Sequence, residues 1–98
     1  MIIIEGSVRI PTGKIEAARP VMAKMIAASR AEPGCIDYAY SLDVVDPGLV
    51  RVTERWESRD ALAAHFRMPH MAEWRAVWPE FEITDRSLRL YEAEPEPL

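Results

Sequence analysis

The stretch Ile36-Asp-Tyr-Ala-Tyr-Ser-Leu-Asp-Val-Val-Asp-Pro-Gly-Leu-Val-Arg-Val-Thr-Glu-Arg-Trp-Glu57 decides the fold, because it predicts a β-hairpin in the middle of the chain. Apolar and polar residues alternate on both sides of the turn sequence Asp46-Pro-Gly48, which is the pattern of two half-buried strands joined by a tight turn. The inward positions predicted for the first of these strands are Ile36, Tyr38, Tyr40, Leu42 and Val44. The elements before and after the hairpin must pack against it.

A strand and a helix are predicted before the hairpin. The strand is indicated by alternation near the N-terminus, where the inward residues are Ile2, Ile4, Val8 and Ile10. From residue 14 to residue 31 the apolar positions recur every three or four residues, which predicts an amphipathic helix that ends at the Glu-Pro-Gly sequence of residues 32–34. Pro20 falls inside this helix and predicts a kink or a restart there, because it cannot donate a hydrogen bond to the carbonyl of Glu16.

After the hairpin the pattern predicts a broken helix and a last strand. Ser58 can cap the first helical segment, which continues through His65. Pro69 suits the first turn of a second segment that ends near Trp78. Residues 83–91 read as a strand, and residues 91–98 form a polar tail.

The element order βαββαβ predicts an α+β fold of the ferredoxin-like type, a four-stranded antiparallel sheet with helices on one face. We expect residues 1–98 to form a single domain with one pocket between the helices and the sheet. The other face of the sheet mixes small, apolar and charged residues, which suits contact with a second sheet and predicts a homodimer. The residues assigned to that face are Ser7, Arg9, Cys35, Ala39, Ser41, Leu49, Thr53 and Arg55.

Composition limits the partners and the compartment. The 98 residues are 49% hydrophobic and carry a net charge of −4, and their twelve basic residues are dispersed, so nucleic acid is not an expected partner. No apolar run approaches membrane-spanning length and the N-terminus lacks the features of a signal peptide, so we expect a soluble, cytoplasmic protein without a membrane partner. The single cysteine, Cys35, fits a reducing compartment, and we interpret it as a structural thiol.

Glu54, His65 and His70 are the candidate chemical groups. Glu54 shares a strand face with Val50, Val52 and Trp56, and a carboxylate among apolar neighbours needs a hydrogen-bonding partner. We expect Glu54 to contact His65 or His70 and to raise the basicity of that imidazole. An arginine is the alternative partner for Glu54, and Trp56 is interpreted mainly as core. The two histidines are five residues apart and no third ligand is evident, so the spacing predicts no metal site.

Several motifs occur together in an order that points to a known family. They are the run from Ala31 to Tyr38, Asp46-Pro-Gly48, Glu54-Arg-Trp-Glu-Ser58, Ala61-Leu62, His65 and Pro69-His70. In this order and spacing they resemble the antibiotic biosynthesis monooxygenase family of dimeric α+β barrels over nearly the whole chain. The resemblance implies a homodimer, and it implies for some members the oxidation of polycyclic phenols or quinols by O₂ without metal, flavin or haem. Other members of the superfamily bind and degrade haem.

The chain departs from the haem-degrading pattern. Those relatives carry an asparagine on the first strand, a tryptophan late in the helix and a histidine further on, whereas this chain has Gly6 or Ser7, His65 and Arg75 there. In some phenol oxidases of the family, the asparagine at this position binds the substrate oxygen or O₂. This chain lacks that asparagine, so Arg75 or His70 would have to replace it.

The sequence therefore predicts a cofactor-independent monooxygenase that oxidises an aromatic phenol or quinol with O₂. A non-catalytic small-molecule-binding dimer of the same fold is the alternative. His65 and His70 are the candidate bases, either of which could take the phenolic proton. The candidate substrate-binding residues are Glu54, Trp56, Trp74, Arg75, Tyr38 and Met71.

Overall fold

The computed structural model describes residues 1–98 as an α+β fold with one antiparallel sheet and three helices. The order along the chain is β1 Ile2–Arg9, α1 Thr12–Arg30, β2 Cys35–Leu42, β3 Leu49–Trp56, α2 Arg59–Phe66, α3 Pro69–Ala76 and β4 Thr84–Glu92. The strands are arranged β2-β3-β1-β4, so the two central strands are the first and third of the chain. The predicted ferredoxin-like arrangement is confirmed.

The hairpin of β2 and β3 forms as predicted, with Tyr38 opposite Glu54 and Tyr40 opposite Val52. Its turn is stabilised by Asp43, whose carboxylate accepts hydrogen bonds from the backbone N–H groups of Val45 and Asp46 at 3.0 and 2.8 Å. Val44 lies in this turn and is fully exposed, so its predicted inward position is wrong. A short polar side chain that accepts from the backbone favours a turn over continuation of the strand.

A β-bulge at the start of β2 changes the predicted faces of two residues. Cys35 pairs with Trp56 and Asp37 pairs with Arg55, so Ile36 is an extra residue without a partner on β3. An extra residue interrupts the alternation of a strand. As a result Cys35 packs against the core rather than lying on the outer face, and Ile36 is 47% exposed rather than buried, which corrects both predictions.

Helix α1 runs without interruption through Pro20. Of the two predicted outcomes at that residue, the restart is therefore wrong and the kink stays a prediction. Pro20 and Glu16 are both exposed, and the carbonyl that loses its helical partner therefore lies on the water side. The opposite side of α1 packs on the sheet through Ile15, Ala18, Met22, Met25 and Ser29. Burial of this apolar stripe stabilises the helix more than one missing hydrogen bond destabilises it.

The break between α2 and α3 occurs where the sequence predicts it. The Ser58 hydroxyl accepts a hydrogen bond from the Ala61 N–H at 3.1 Å and caps α2, and Pro69 occupies the first turn of α3. Arg67 ends α2, and Met68 has an extended backbone immediately before α3. The change of direction at this break positions His65 and His70 against the same carboxylate.

Strand β4 approaches β1 closely and contains a second bulge. Ser7 pairs with Ser87 but Arg9 pairs with Thr84, so Asp85 and Arg86 together lie opposite Val8. Asp85 has a φ of 54°, a left-handed conformation that is uncommon for a residue other than glycine. The bulge is therefore a locally strained end of β4.

None of the helices in the chain combines the length and the apolar character needed to cross a membrane.

We expect Gly6→Ala to destabilise the fold by about 3 kcal/mol, because a Cβ at residue 6 would lie 1.9 Å from the Ser87 carbonyl oxygen and 2.8 Å from the Leu88 Cα. Both contacts are with backbone, which cannot move without disturbing the β1–β4 pairing. Urea unfolding measures the effect. The control is Gly13→Ala in the first turn of α1, where a Cβ meets nothing within 4 Å; we expect it to be neutral or to stabilise by about 0.5 kcal/mol. Equal stability of the two variants would contradict the prediction.

Candidate active site

A cavity of about 470 Å³ opens between the sheet and the two short helices. Its lining is mostly apolar and aromatic, with a carboxyl group, an imidazole and two guanidinium groups among the polar members. The lining residues are Tyr38, Tyr40, Glu54, His65, Phe66, Met71, Trp74, Arg75, Trp78, Arg86 and Leu88. The volume lies in the range usual for sites that take a small organic molecule.

Glu32 connects the two histidines behind the cavity wall. One of its oxygens, Oε2, lies 2.7 Å from His65 Nδ1 and 2.8 Å from His70 Nε2. A carboxylate only accepts hydrogen bonds, so His65 donates from Nδ1 and His70 donates from Nε2. Glu32 is 8% exposed and His65 is fully buried, which makes this a charge-assisted network in a largely dry environment.

The remaining nitrogen of His65 has no protein partner. Nε2 is buried without a hydrogen bond, although His65 is one of the residues that line the cavity. Since the proton of a neutral His65 ring is on Nδ1, Nε2 carries a lone pair and can accept a proton or a hydrogen bond. Unpartnered buried polar groups are costly, and in native proteins they often mark functional sites. The Nε1–H group of Trp78, another lining residue, is also buried without a partner.

The partner predicted for Glu54 is wrong. Glu54 contacts neither histidine by a hydrogen bond and forms no ion pair with an arginine; its Oε1 instead accepts from the indole N–H of Trp56 at 2.9 Å. Trp56 is the next residue but one on the same strand face, so this local contact satisfies Glu54 without any tertiary partner. The residue that does contact the histidines, Glu32, lies in the turn after α1.

Burial changes the acid–base properties of the cavity wall. It raises the pKa of the Glu54 carboxyl above its usual 4.5, and the hydrogen bond from Trp56 opposes this effect. Burial also raises the pKa of the Tyr38 and Tyr40 hydroxyl groups. The two tyrosines are therefore un-ionised at neutral pH, and Glu54 holds a proton more readily than an exposed glutamate does.

The structure brings together most, but not all, of the residues that the sequence singles out. Glu54, His65, Tyr38, Met71, Trp74 and Arg75 line the cavity. His70 contacts a separate pocket of about 20 Å³ and reaches the cavity only through Glu32 and His65. Trp56 is fully buried in the core and contributes through its bond to Glu54.

Two charged residues of the site were missed by sequence reasoning, Glu32 and Arg86. Glu32 follows the C-terminal end of α1, where the helix dipole disfavours a negative charge, and that unfavourable position was a signal that a positive or hydrogen-donating partner must be near. Arg86 shares the inward face of β4 with Leu88, two residues on, which a stricter reading of strand alternation would have shown.

A cation could also use the Glu32 cluster. One ligand atom from each of Glu32, His65 and His70 lies within 4.8 Å of the other two, so the premise that no third ligand exists is wrong. The cluster does not need a metal to satisfy its polar groups, because both histidines already donate to Glu32 at hydrogen-bond distance. It can therefore act as a hydrogen-bonded acid–base group on its own.

Comparison with known proteins gives a consistent result. The model of the antibiotic biosynthesis monooxygenase family matches residues 1–77. A crystal structure of a provisionally assigned antibiotic biosynthesis monooxygenase from Deinococcus radiodurans superposes with a TM-score of 0.90 at 26% identity, over 100% of this chain and 97% of that one. The structure of Rv0793 from Mycobacterium tuberculosis superposes with a TM-score of 0.82 at 26% identity, over 97% of this chain and 96% of that one.

A curated relative without an assigned function is also similar. An uncharacterised protein of Synechocystis is 29% identical over 90 residues, which cover 92% of this chain. The match covers 61% of that relative, so the chain spans about six-tenths of its length.

The raised pKa of Glu54 predicts a specific dependence of stability on pH. Because the folded-state pKa is higher than the unfolded one, the stability that protonated Glu54 contributes is complete below the unfolded pKa and is lost as pH rises through the folded pKa. Glu54→Gln does not titrate and keeps an oxygen for the Trp56 N–H. The melting temperature of this variant relative to the wild type should therefore rise as the pH increases above the ordinary glutamate pKa of 4.5. The same comparison for exposed Glu57→Gln should show no trend, and a flat difference for Glu54→Gln would contradict the prediction.

Proposed function

Because the chain belongs to the antibiotic biosynthesis monooxygenase family, we propose that it is a cofactor-independent monooxygenase that oxidises an aromatic phenol or quinol with O₂. The observation that carries this proposal is the unpartnered Nε2 of His65, a buried residue that lines an aromatic cavity. A substrate hydroxyl that donates to Nε2 would satisfy the one hydrogen-bonding atom of His65 that the protein leaves free. His65 is thus the proposed base.

Glu32 would act as the positioning residue for this base. Its bond to Nδ1 fixes the ring orientation and the tautomer, and its negative charge stabilises the imidazolium that forms when Nε2 takes the phenolic proton. His70 donates to the same oxygen of Glu32 and keeps the carboxylate directed at His65. In this arrangement His70 supports the base and does not contact the substrate.

Once deprotonated, the substrate supplies the electrons itself. A naphthalene hydroquinone, for example, can react as C₁₀H₈O₂ + O₂ → C₁₀H₆O₃ + H₂O. The phenolate passes one electron to O₂, the two radicals combine in a C–O bond, and cleavage of the O–O bond leaves a carbonyl on the ring and releases water. The imidazolium of His65 can return its proton to the departing oxygen. No electron donor other than the substrate is required.

The remainder of the cavity suits this chemistry. Phe66, Met71, Trp74 and Leu88 provide an apolar surface that favours an aromatic ring over water. Exclusion of water strengthens the electrostatic contacts of a phenolate and protects the radical pair from side reactions. Glu54, whose pKa is raised by burial, can offer a carboxylic O–H to a second substrate oxygen.

Homodimerisation through the outer face of the sheet is part of the proposal. Proteins of this family are generally dimeric, and the outer face here carries the small residues Ser7, Ala39 and Thr53, none of which is fully exposed or fully buried. Ala39 lies opposite Thr53 on the two neighbouring strands. A face of small side chains allows a second sheet to pack against it.

The base assignment predicts a large effect at His65 and a smaller one at His70. We expect His65→Leu to lower the rate of O₂ uptake with naphthalene or anthracene hydroquinones by roughly 10²-fold, because proton transfer to a positioned base contributes that much. Measurements use metal-stripped protein and subtract the uncatalysed rate. His70→Leu should retain at least about a tenth of the wild-type rate, since the base remains in place. Unchanged O₂ uptake by His65→Leu would contradict the assignment of His65 as the base. A wild type whose O₂ uptake does not exceed the uncatalysed rate would place the chain among non-catalytic ligand-binding proteins of the same fold.

The dimer proposal predicts that Ala39→Arg dissociates or unfolds the protein, because a guanidinium group would be buried between two sheets without a counter-charge. Light scattering gives the mass in solution and circular dichroism reports unfolding. The control is Ala17→Arg on the exposed side of α1, which should leave the mass unchanged. A monomeric wild type, or a dimer that is unaffected by Ala39→Arg, would argue against the sheet interface.

A further inference from the structure

We propose that the molecule bound in the cavity carries a carboxylate, which is held at the cavity opening by Arg75, Arg86 and the indole N–H of Trp78. This inference deepens the proposed function and rests on it, because it adds an anionic group to the aromatic phenol or quinol. The substrate class becomes a hydroxylated aromatic carboxylic acid. Three features of the cavity support it.

The first feature is the state of the two guanidinium groups. Of the ten arginines, five form no ion pair and no short side-chain hydrogen bond, and of these five only Arg75 and Arg86 line the cavity. The other arginines are Arg9, Arg19, Arg51 and Arg59, which form ion pairs with carboxylates, and Arg30, which donates to the Tyr38 carbonyl. Arg75 has only a long 3.4 Å contact with the carbonyl of Phe66, and the guanidinium group of Arg86 has no hydrogen bond or ion pair. Both are exposed and both line the same cavity, so two positive charges lie at its opening in a protein whose net charge is −4.

The second feature is that Arg86 acts on the interior of the cavity. Its positive charge favours ionisation of Glu54 and Tyr40, although burial has the larger and opposite effect on the pKa of both groups. Arg86 also lies at the β4 bulge, next to the strained residue Asp85. Bulges commonly direct side chains beside binding sites, and backbone strain is often found there.

The third feature is the distribution of unsatisfied groups. The buried Nε1–H of Trp78 is a donor without a partner, and Trp78 follows Arg75 by three residues, just beyond the end of α3. The Trp78 backbone N–H bonds to the Arg75 carbonyl, which keeps the two residues adjacent. The residues that line the cavity thus include three with groups that only donate, Arg75, Arg86 and Trp78, whereas the free nitrogen of His65, Nε2, can accept. A ligand with a hydroxyl group at one end and a carboxylate at the other satisfies both sets, and a planar carboxylate matches the guanidinium fork.

Equilibrium binding of two inert ligands tests the proposal without any oxidation. Naphthalene-2-carboxylate and the uncharged naphthalene-2-carboxamide differ in charge and have nearly the same shape, and neither carries a hydroxyl to be oxidised. Trp74 and Trp78 line the cavity, so quenching of tryptophan fluorescence reports occupancy. We expect the wild-type protein to bind the acid about tenfold more tightly than the amide at neutral pH, with the preference reduced by salt.

Variants assign the preference to the two arginines. Arg75→Gln and Arg86→Gln should each reduce it by roughly threefold, and the double variant should abolish it. The control is Arg89→Gln, which removes the same charge from the opposite face of β4. Arg89 lies opposite Glu5 in the register of β1 and β4. Equal or undetectable binding of both ligands by the wild type, or a preference that survives in the double variant, would overturn the inference. If the acid is preferred but hydroquinones are not oxidised, only the proposed function fails.

Discussion

The double hydrogen bond accepted by Glu32 is the constraint on which the rest of the site depends. A carboxylate that is almost fully buried needs donors, and here both donors are side chains of the broken second helix. The bond connects the end of α1 with α2 and α3, and it thereby sets how the two short helices lie over the sheet. The backbone leaves the helical conformation at Met68, between α2 and α3, and both short helices contribute residues to the cavity wall. One network therefore fixes the tautomer of His65, its orientation and one wall of the cavity.

Local sequence patterns were sufficient for most of the fold. Alternation on both sides of Asp46-Pro-Gly48 predicted the hairpin, and Ser58 and Pro69 predicted the ends of the two short helices, because caps and prolines act within a few residues. Pro20 misled the helix prediction, since an exposed position tolerates a missing hydrogen bond. The bulge at Ile36 was not predictable from the alternation of apolar and polar residues in β2. An extra residue changes which face each side chain of the strand occupies, but it leaves the sequence pattern itself unaltered.

The site was predictable in its residue types and only partly in its pairings. His65 and Glu54 both line the cavity, as expected for polar residues on inward faces. The hydrogen-bond partners differ from the predicted ones because the contacts join residues at very different separations along the chain. Glu54 is satisfied by Trp56 two residues away, whereas Glu32 meets His65 across 33 residues and His70 across 38. Contacts of that separation follow from the packed tertiary structure and have no signature in the spacing of the residues.

The cavity is assembled from two parts of the chain, only one of which contains the Glu32 network. The family model matches residues 1–77, which include Glu32, Glu54, His65 and His70, whereas Trp78, Arg86 and Leu88 come from the segment that follows. The inward side chains of β4 make no hydrogen bond to the Glu32 network. Substitutions on this last strand would therefore change the surface offered to a ligand and leave the histidine network in place. Such modularity would let one small scaffold accept different ligands by altering little more than a single strand.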